Sequence, residues 1–377
     1  MLELKNIKAV YLLGIGGIGM SALARYFNAN GKKVSGYDKT PTPLTNELVS
    51  EGIEVHFEDD IKYFKSLFAS KEEVLIIYTP AIPKDHQEFN WLKDNGYNLL
   101  KRSEVLGLLT KESFTIAVAG THGKTTTSSI IAHLFKSAGV EITAFLGGIS
   151  KNYDSNLLLS KANEGGQNIV VVEADEYDRS FLTLHPDTAV ITSMDADHLD
   201  IYGDKTYMEE SYKLFSEQVK EGGKLIIKEG LPLTHYSSNY SINQLATYSA
   251  KNIRIIHHKY VFDVTTPLGE LKDLTLGLPG LHNVENAVAA VAVAQSFGIN
   301  PKLIHEGLAS YTGVYRRFDY QVNKSGVVYI DDYAHHPEEL KACINSVAEM
   351  YPGKRICGIF QPHLFTRTRD FVDGFAE

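Results

Sequence analysis

With 377 residues the chain is long enough for two or three domains, each burying its own core, and too long for a disulfide-stapled peptide. Apolar residues make up 44% and charged ones 22%, and 37 Lys+Arg against 46 Asp+Glu leave a net charge of −9, which argues against disorder and against a basic nucleic-acid binder. Cys343 and Cys357 are too few for a disulfide framework and are not spaced as zinc ligands, so both read as structural thiols in a reducing compartment, the cytoplasm.

The first unit opens with an apolar run, Val10 to Leu13, then glycines, a helical stripe at Met20, Leu23, Ala24 and Phe27, and a second strand over Lys33 to Asp38. The apolar stretch breaks into glycine too early to span a membrane, no small-residue cleavage site follows it, and no later segment is long and apolar enough to cross. A further strand, Val74 to Tyr78, ends at Thr79-Pro80-Ala81-Ile82-Pro83, and strand carboxyl ends are where open α/β sheets place ligands.

A second unit begins with a strand at Thr115 to Ala119, turns at Gly120 and enters a helix from about Lys124 to Ser137 that Gly139 terminates. Strands at Ile169 to Glu173 and Thr188 to Thr192 follow, then shorter strands within 224–275 and a helix from Val284 to Phe297. The third unit is expected to hold a strand at Val327 to Asp331, a helix at Pro337 to Met350, a strand at Arg355 to Phe360 and a helix from about Arg367 with Phe371 and Phe375 on one face. These patterns predict an α/β protein with domains at 1–107, 108–312 and 313–377. About 65 residues make a small core for the third, which is therefore expected to continue beyond Glu377.

Gly14-Ile15-Gly16-Gly17-Ile18-Gly19 follows a strand and opens a helix, with Asp38 at the end of the next strand. In that context the glycines let a backbone approach a diphosphate, the helix N-terminus favours the anion, and Asp38 is placed to accept from a ribose. The motif alone does not separate NAD from FAD or another nucleotide diphosphate, and a ligand-free tight turn is the plain alternative. Gly120-Thr121-His122-Gly123-Lys124-Thr125-Thr126 resembles a phosphate-binding loop, with Lys124 reaching β/γ-phosphates and Thr125 reaching Mg²⁺, although Val118 holds the usual first glycine position. Carboxylates follow two later strands, at Glu173 and in Asp195-Ala196-Asp197-His198. Glu173 suits a hard divalent cation, His198 is a less usual ligand, and helix capping by the aspartates or a core histidine is the structural alternative.

Taken in order, GIGGIGMSALA, GTHGKTTT, EADEYDRSFL, DADHLDIYGD, LPGLHNVENAVAA, YRRFDY, DDYAHHPEE and FQPHLFTRTRD resemble the Mur ligases, ATP-dependent enzymes that build the peptide of bacterial cell-wall precursors. The resemblance implies three domains: a Rossmann-like one for the UDP-sugar, a central P-loop-type ATPase with a mostly parallel sheet, and a Rossmann-like C-terminal domain, here incomplete, for the amino acid. It implies UDP-N-acetylmuramate and L-alanine as substrates and ATP and Mg²⁺ as cofactors, with no nucleic-acid, membrane or obligate protein partner. Carried over, Gly14, Ile15, Gly16, Gly17, Ile18, Gly19, Asp38, Thr79 and Arg102 would serve the UDP-sugar. Gly120, Thr121, His122, Gly123, Lys124, Thr125, Thr126, Asn283, Asn286, Arg316 and Asp332 would serve ATP; Thr125, Glu173 and His198 the metal; His363 and Arg367 the amino acid. Lys124, His198 and Arg316 would be catalytic. Leu364 stands where many relatives have a basic residue, and neither Lys205 nor Lys213 matches the offset of the carbamylated lysine some relatives use. Competing expectations are a ligase for a preformed murein tripeptide, an NAD-dependent oxidoreductase built on the first glycine loop alone, and a chain that binds both nucleotides without turnover.

Overall fold

The computed structural model describes residues 4–65, 71–160, 168–195, 205–324 and 326–377. Strands β1 (Ala9–Leu13), β2 (Lys33–Tyr37), β3 (Glu54–His56), β4 (Val74–Tyr78) and β5 (Asn98–Lys101) form a parallel sheet in the order β3-β2-β1-β4-β5. The order reverses between β1 and β4, so a crevice opens at their carboxyl ends, where the first glycine loop and Thr79 lie. β1 and most of β4 are buried because helices or loops cover both faces, which explains why they read as unbroken apolar runs.

A ten-stranded sheet follows: β6 (Phe114–Ala119), β7 (Ile142–Ser150), β8 (Ser155–Leu158), β9 (Ile169–Glu173), β10 (Thr188–Ile191), β11 (Lys224–Lys228), β12 (Ser238–Ile242), β13 (Tyr248–Ile256), β14 (Lys259–Thr266) and β15 (Gly269–Leu276). Its centre is parallel, with β6 between β9 and β10, while β8, β14 and β15 join antiparallel at the two ends. The Lys124–Ser137 helix packs on this sheet beside the Leu281–Ser296 helix, whose run of Ala and Val from Ala287 to Ala294 is wholly buried. The helix is apolar all round because it is enclosed on every side.

In the third unit β16 (Asp319–Lys324) and β17 (Val327–Asp331) form an antiparallel pair, followed by the expected Pro337–Met350 helix. Two sequence expectations change here. Arg355 to Phe360 is not a strand: among the described residues no strand pairs with it, and its backbone runs exposed. The terminal helix is two short ones, Phe365–Asp370 and Val372–Ala376, broken at Phe371; Phe371 and Phe375 are half-buried, and the buried residue of the pair is Arg367. Cys343 is partly buried, but Cys357 is exposed and so is not a core thiol. No described helix is long and apolar enough to cross a membrane.

The first sheet also buries a polar cluster that the sequence did not reveal. The Tyr11 hydroxyl donates to Glu88 Oε2 at 2.6 Å and lies 2.6 Å from His56 Nε2, while Asp59 accepts from the backbone N–H of Gln87 and Glu88. Glu88 is fully buried, and desolvation raises its pKa to about 7. The neutral acid therefore stabilises the fold at low pH, and that contribution is lost as pH rises from the ordinary carboxylate range through about 7. Glu88→Gln is expected to gain stability over the parent between roughly pH 5 and pH 8, by on the order of 1–3 kcal/mol in urea midpoints at matched pH. A difference that is flat with pH would mean that Glu88 is ionised throughout.

Candidate active site

The first glycine loop is built for close approach. A Cβ at Gly14 would lie 2.5 Å from Thr79 Cγ2, one at Gly16 would lie 2.8 Å from Asp38 Oδ2, and one at Gly19 would lie 2.4 Å from Arg102 Nη1. Gly14, Gly16, Gly19, Asp38, Thr79 and Arg102 are thus brought together, and Gly17 begins the Ile18–Ala29 helix with no side-chain cap, leaving its first amides available. Two details depart from the sequence reading. Asp38 Oδ2 already accepts from the Gly16 backbone N–H at 2.7 Å, so the carboxylate shapes the loop as well as facing it. Ile15 is fully buried against Gly36 and belongs to the core, while Ile18 is partly exposed.

The second loop runs from the end of β6 into the Lys124–Ser137 helix. Gly123 has φ 83°, a conformation that favours glycine, and a Cβ there would lie 2.6 Å from Asn286 Oδ1. Asn283 and Asn286 are both buried, with Asn286 donating to Asn283 Oδ1 at 3.3 Å. They buttress the loop from behind and do not line the cleft in front of it. The Thr121 hydroxyl donates to the Asp195 carbonyl, and the His122 backbone N–H to Ser193 Oγ, fastening the loop to the segment after β10.

In front of this loop lies a cleft of about 360 Å³ that includes Thr121, Gly123, Lys124, Thr125, Thr126 and Glu173. Lys124 Nζ donates to the Gly120 carbonyl at 2.7 Å and to Glu176 Oε1 at 2.8 Å. Burial works against its charge, but Glu176, Glu173 and Asp175 outweigh that and raise its pKa, so it remains an ammonium. The Thr125 hydroxyl donates to Glu173 Oε2 at 2.9 Å. Glu173 pairs with Val118 across β6 and β9, and its carboxylate lies over Gly147, where a Cβ would overlap it unless the carboxylate moved. Two hard oxygen donors beside Lys124 fit Mg²⁺, which keeps several waters and needs few protein ligands. Among the described residues no group of three or more His, Cys, Asp or Glu could hold a metal, and His198 lies outside the described residues.

The third unit closes the cleft with Arg317, Tyr333, His335, Glu339, His363, Leu364 and Arg367. His363 and Arg367 thus lie across the cleft from the phosphate loop. Arg316 does not: its side chain is 62% exposed and lies near Asp331, whereas Arg317 lines the cleft. Asp332 is not a lining residue either. Its carboxylate accepts from the backbone N–H of Phe318 and Ala334, so it fixes the turn that carries Arg317 and Tyr333. Sequence reasoning gave no role to Arg317, Asp175, Glu176, Tyr333, His335 or Glu339, although all fall within the motifs that carried the resemblance. A basic side chain links the two loops: Arg102, packed over Gly19, donates to Asp175 at 3.1 Å.

Comparison with known proteins fits this geometry. Three family models match in order: "Mur ligase family, catalytic domain" over residues 9–114, "Mur ligase middle domain" over 118–294, and "Mur ligase, glutamate ligase domain" over 316–377. The chain belongs to the Mur ligase family. It is 52% identical over 376 residues to a UDP-N-acetylmuramate–L-alanine ligase of Flavobacterium johnsoniae, covering 100% of this chain and 82% of the relative. It is also 52% identical, with the same coverage, to the ligase of that name from Christiangramia forsetii. The crystal structure of a UDP-N-acetylmuramate–alanine ligase from Thermotoga maritima superposes with TM-score 0.82 at 28% identity, covering 96% of this chain and 83% of that one. A murein peptide ligase from Psychrobacter arcticus shares the fold, with TM-score 0.75 at 22% identity, covering 95% of this chain and 79% of that one.

Proposed function

We propose that this Mur ligase joins L-alanine to the carboxylate of UDP-N-acetylmuramate in the cytoplasm, using ATP, as a step in peptidoglycan precursor synthesis. The observation that carries the reading is the single cleft in which Lys124, Thr125 and Glu173 of the central unit face Arg317, His363 and Arg367 of the third. Residues 1–107 would hold the UDP-sugar, with Gly14 to Gly19 and Arg102 at its diphosphate, residues 108–312 would hold ATP, and residues from 313 would hold the amino acid.

A carboxylate is a poor electrophile, and phosphorylation corrects this. The muramoyl carboxylate attacks the γ-phosphorus of ATP and ADP leaves, giving an acyl phosphate. Lys124 and Arg317 offset the charge on the transferring group, and the amides at the start of the Lys124–Ser137 helix orient the phosphates. Thr125 and Glu173 would hold Mg²⁺, which would supply positive charge against the phosphates. The neutral amine of L-alanine then attacks the acyl carbon, and the tetrahedral adduct gives up a nitrogen proton to the departing phosphate as the C–O bond to that phosphate breaks, leaving the amide. His363 and Arg367 would hold the alanine carboxylate, a role supported by their position on the third-unit side of the cleft. Enclosure by the third unit would keep water from the acyl phosphate.

Calorimetry with UDP-N-acetylmuramate and, separately, NADH tests the first site, and phosphate release tests the whole. The sugar nucleotide is expected to bind and NADH not, with phosphate release requiring both the sugar nucleotide and L-alanine. NADH binding, or release that needs murein tripeptide in place of alanine, would reject the assignment.

A further inference from the structure

We infer that Glu339 is a positioning residue for this reaction: from the third unit it fixes the phosphate-loop His122 and the cleft-facing Arg317 against one another. The inference rests on the function proposed above. Glu339 sits in the first turn of the Pro337–Met350 helix, yet it lines the cleft that contains Lys124 and Thr125. Its Oε1 lies 3.3 Å from His122 Nδ1, 217 residues away in sequence, and 3.9 Å from Arg317 Nη1. Its Oε2 accepts from the His335 backbone N–H at 3.0 Å and lies 3.4 Å from His335 Nδ1.

Both oxygens are therefore engaged by protein groups, Oε1 by the His122 imidazole and Oε2 by the His335 backbone N–H. Burial favours the neutral acid, but His122, Arg317 and His335 outweigh it and hold the carboxyl well below the usual carboxylate range. An unscreened carboxylate here would repel a triphosphate, whereas one surrounded by these groups acts as a template for them. Capping explains part of the arrangement, since His336 is the N-cap of this helix and a first-turn glutamate suits the helix dipole. It does not explain why the same carboxylate meets side chains from the phosphate loop and from the segment before β16. His122 is anchored on its other side through Ser193, so its imidazole is the part of the loop that the third unit can grasp.

The test is a double-mutant cycle in the full-length protein. Glu339→Gln keeps the size and an acceptor for the His335 N–H while removing the charge. It is expected to lower kcat about tenfold to a hundredfold, with KM for ATP within about threefold and the urea midpoint near the parent's. His122→Ala should give a comparable loss, and the double variant should be no slower than the slower single one, because the two changes remove one contact. Unchanged kcat, losses that multiply in the double variant, or a loss explained by a lowered midpoint would overturn the inference. Failure of the parent to turn over UDP-N-acetylmuramate and L-alanine would count against the proposed function itself, whereas an active parent with any of those variant results counts against Glu339 alone.

Discussion

Lys124→Ala is expected to abolish turnover, lowering phosphate release by at least about a thousandfold while leaving UDP-N-acetylmuramate binding within about twofold. The ammonium sits at the mouth of the phosphate loop, 2.7 Å from the Gly120 carbonyl, and remains charged because three carboxylates surround it. Alanine removes the only lysine that lines this cleft among the described residues. It also removes the Lys124 ammonium from Glu176, whose side chain is 2% exposed. Burial already favours proton uptake there, which limits the damage to folding, and urea midpoints for parent and variant would verify that. The first glycine loop lies on a different sheet and is tied to this region through Arg102 and Asp175, neither of which is altered. Calorimetric binding of the sugar nucleotide paired with a phosphate-release assay separates the two effects. Release near the parent rate would sink the assignment of Lys124.

Much of this arrangement was legible in the sequence, for identifiable reasons. β4 and the Lys124–Ser137 helix follow from apolar patterning bounded by Gly or Pro, because their local preferences agree with their burial, whereas β17 and the Pro337–Met350 helix were legible from local pattern although they stay largely exposed. The two glycine loops were legible because each lies between a strand and a helix. Arg355 to Phe360 failed because strand patterning does not supply a partner, and the ladder needs one. The Glu88 cluster and the Glu339 contacts were invisible because they join segments far apart in the chain, and no local signal marks a buried carboxylate's distant partner.

The tandem Arg316-Arg317 shows the same limit at the scale of one residue, and it carries the second large prediction. Sequence alone offers two adjacent guanidinium groups of equal chemistry; the backbone decides between them. Arg316 has φ 61°, and its carbonyl accepts from the Tyr333 N–H at 2.7 Å, a turn that sends its side chain toward solvent and Asp331 and sends Arg317 into the cleft. Arg317 is less than half as exposed as Arg316, 29% against 62%, so its charge acts in a lower dielectric on the transferring phosphoryl group. Arg317→Ala is accordingly expected to lower kcat about 10²–10³-fold, the scale seen when a donor aimed at developing charge is removed. Arg316→Ala should stay within about fivefold of the parent, because an exposed guanidinium beside one aspartate and over the Tyr333 ring contributes little. Arg317→Lys should recover only part of the loss, since a point charge does not reproduce the planar donor fork. Steady-state kinetics on the three variants decide the matter: equal losses at 316 and 317, or a larger loss at 316, would mean that the turn presents the other arginine during turnover.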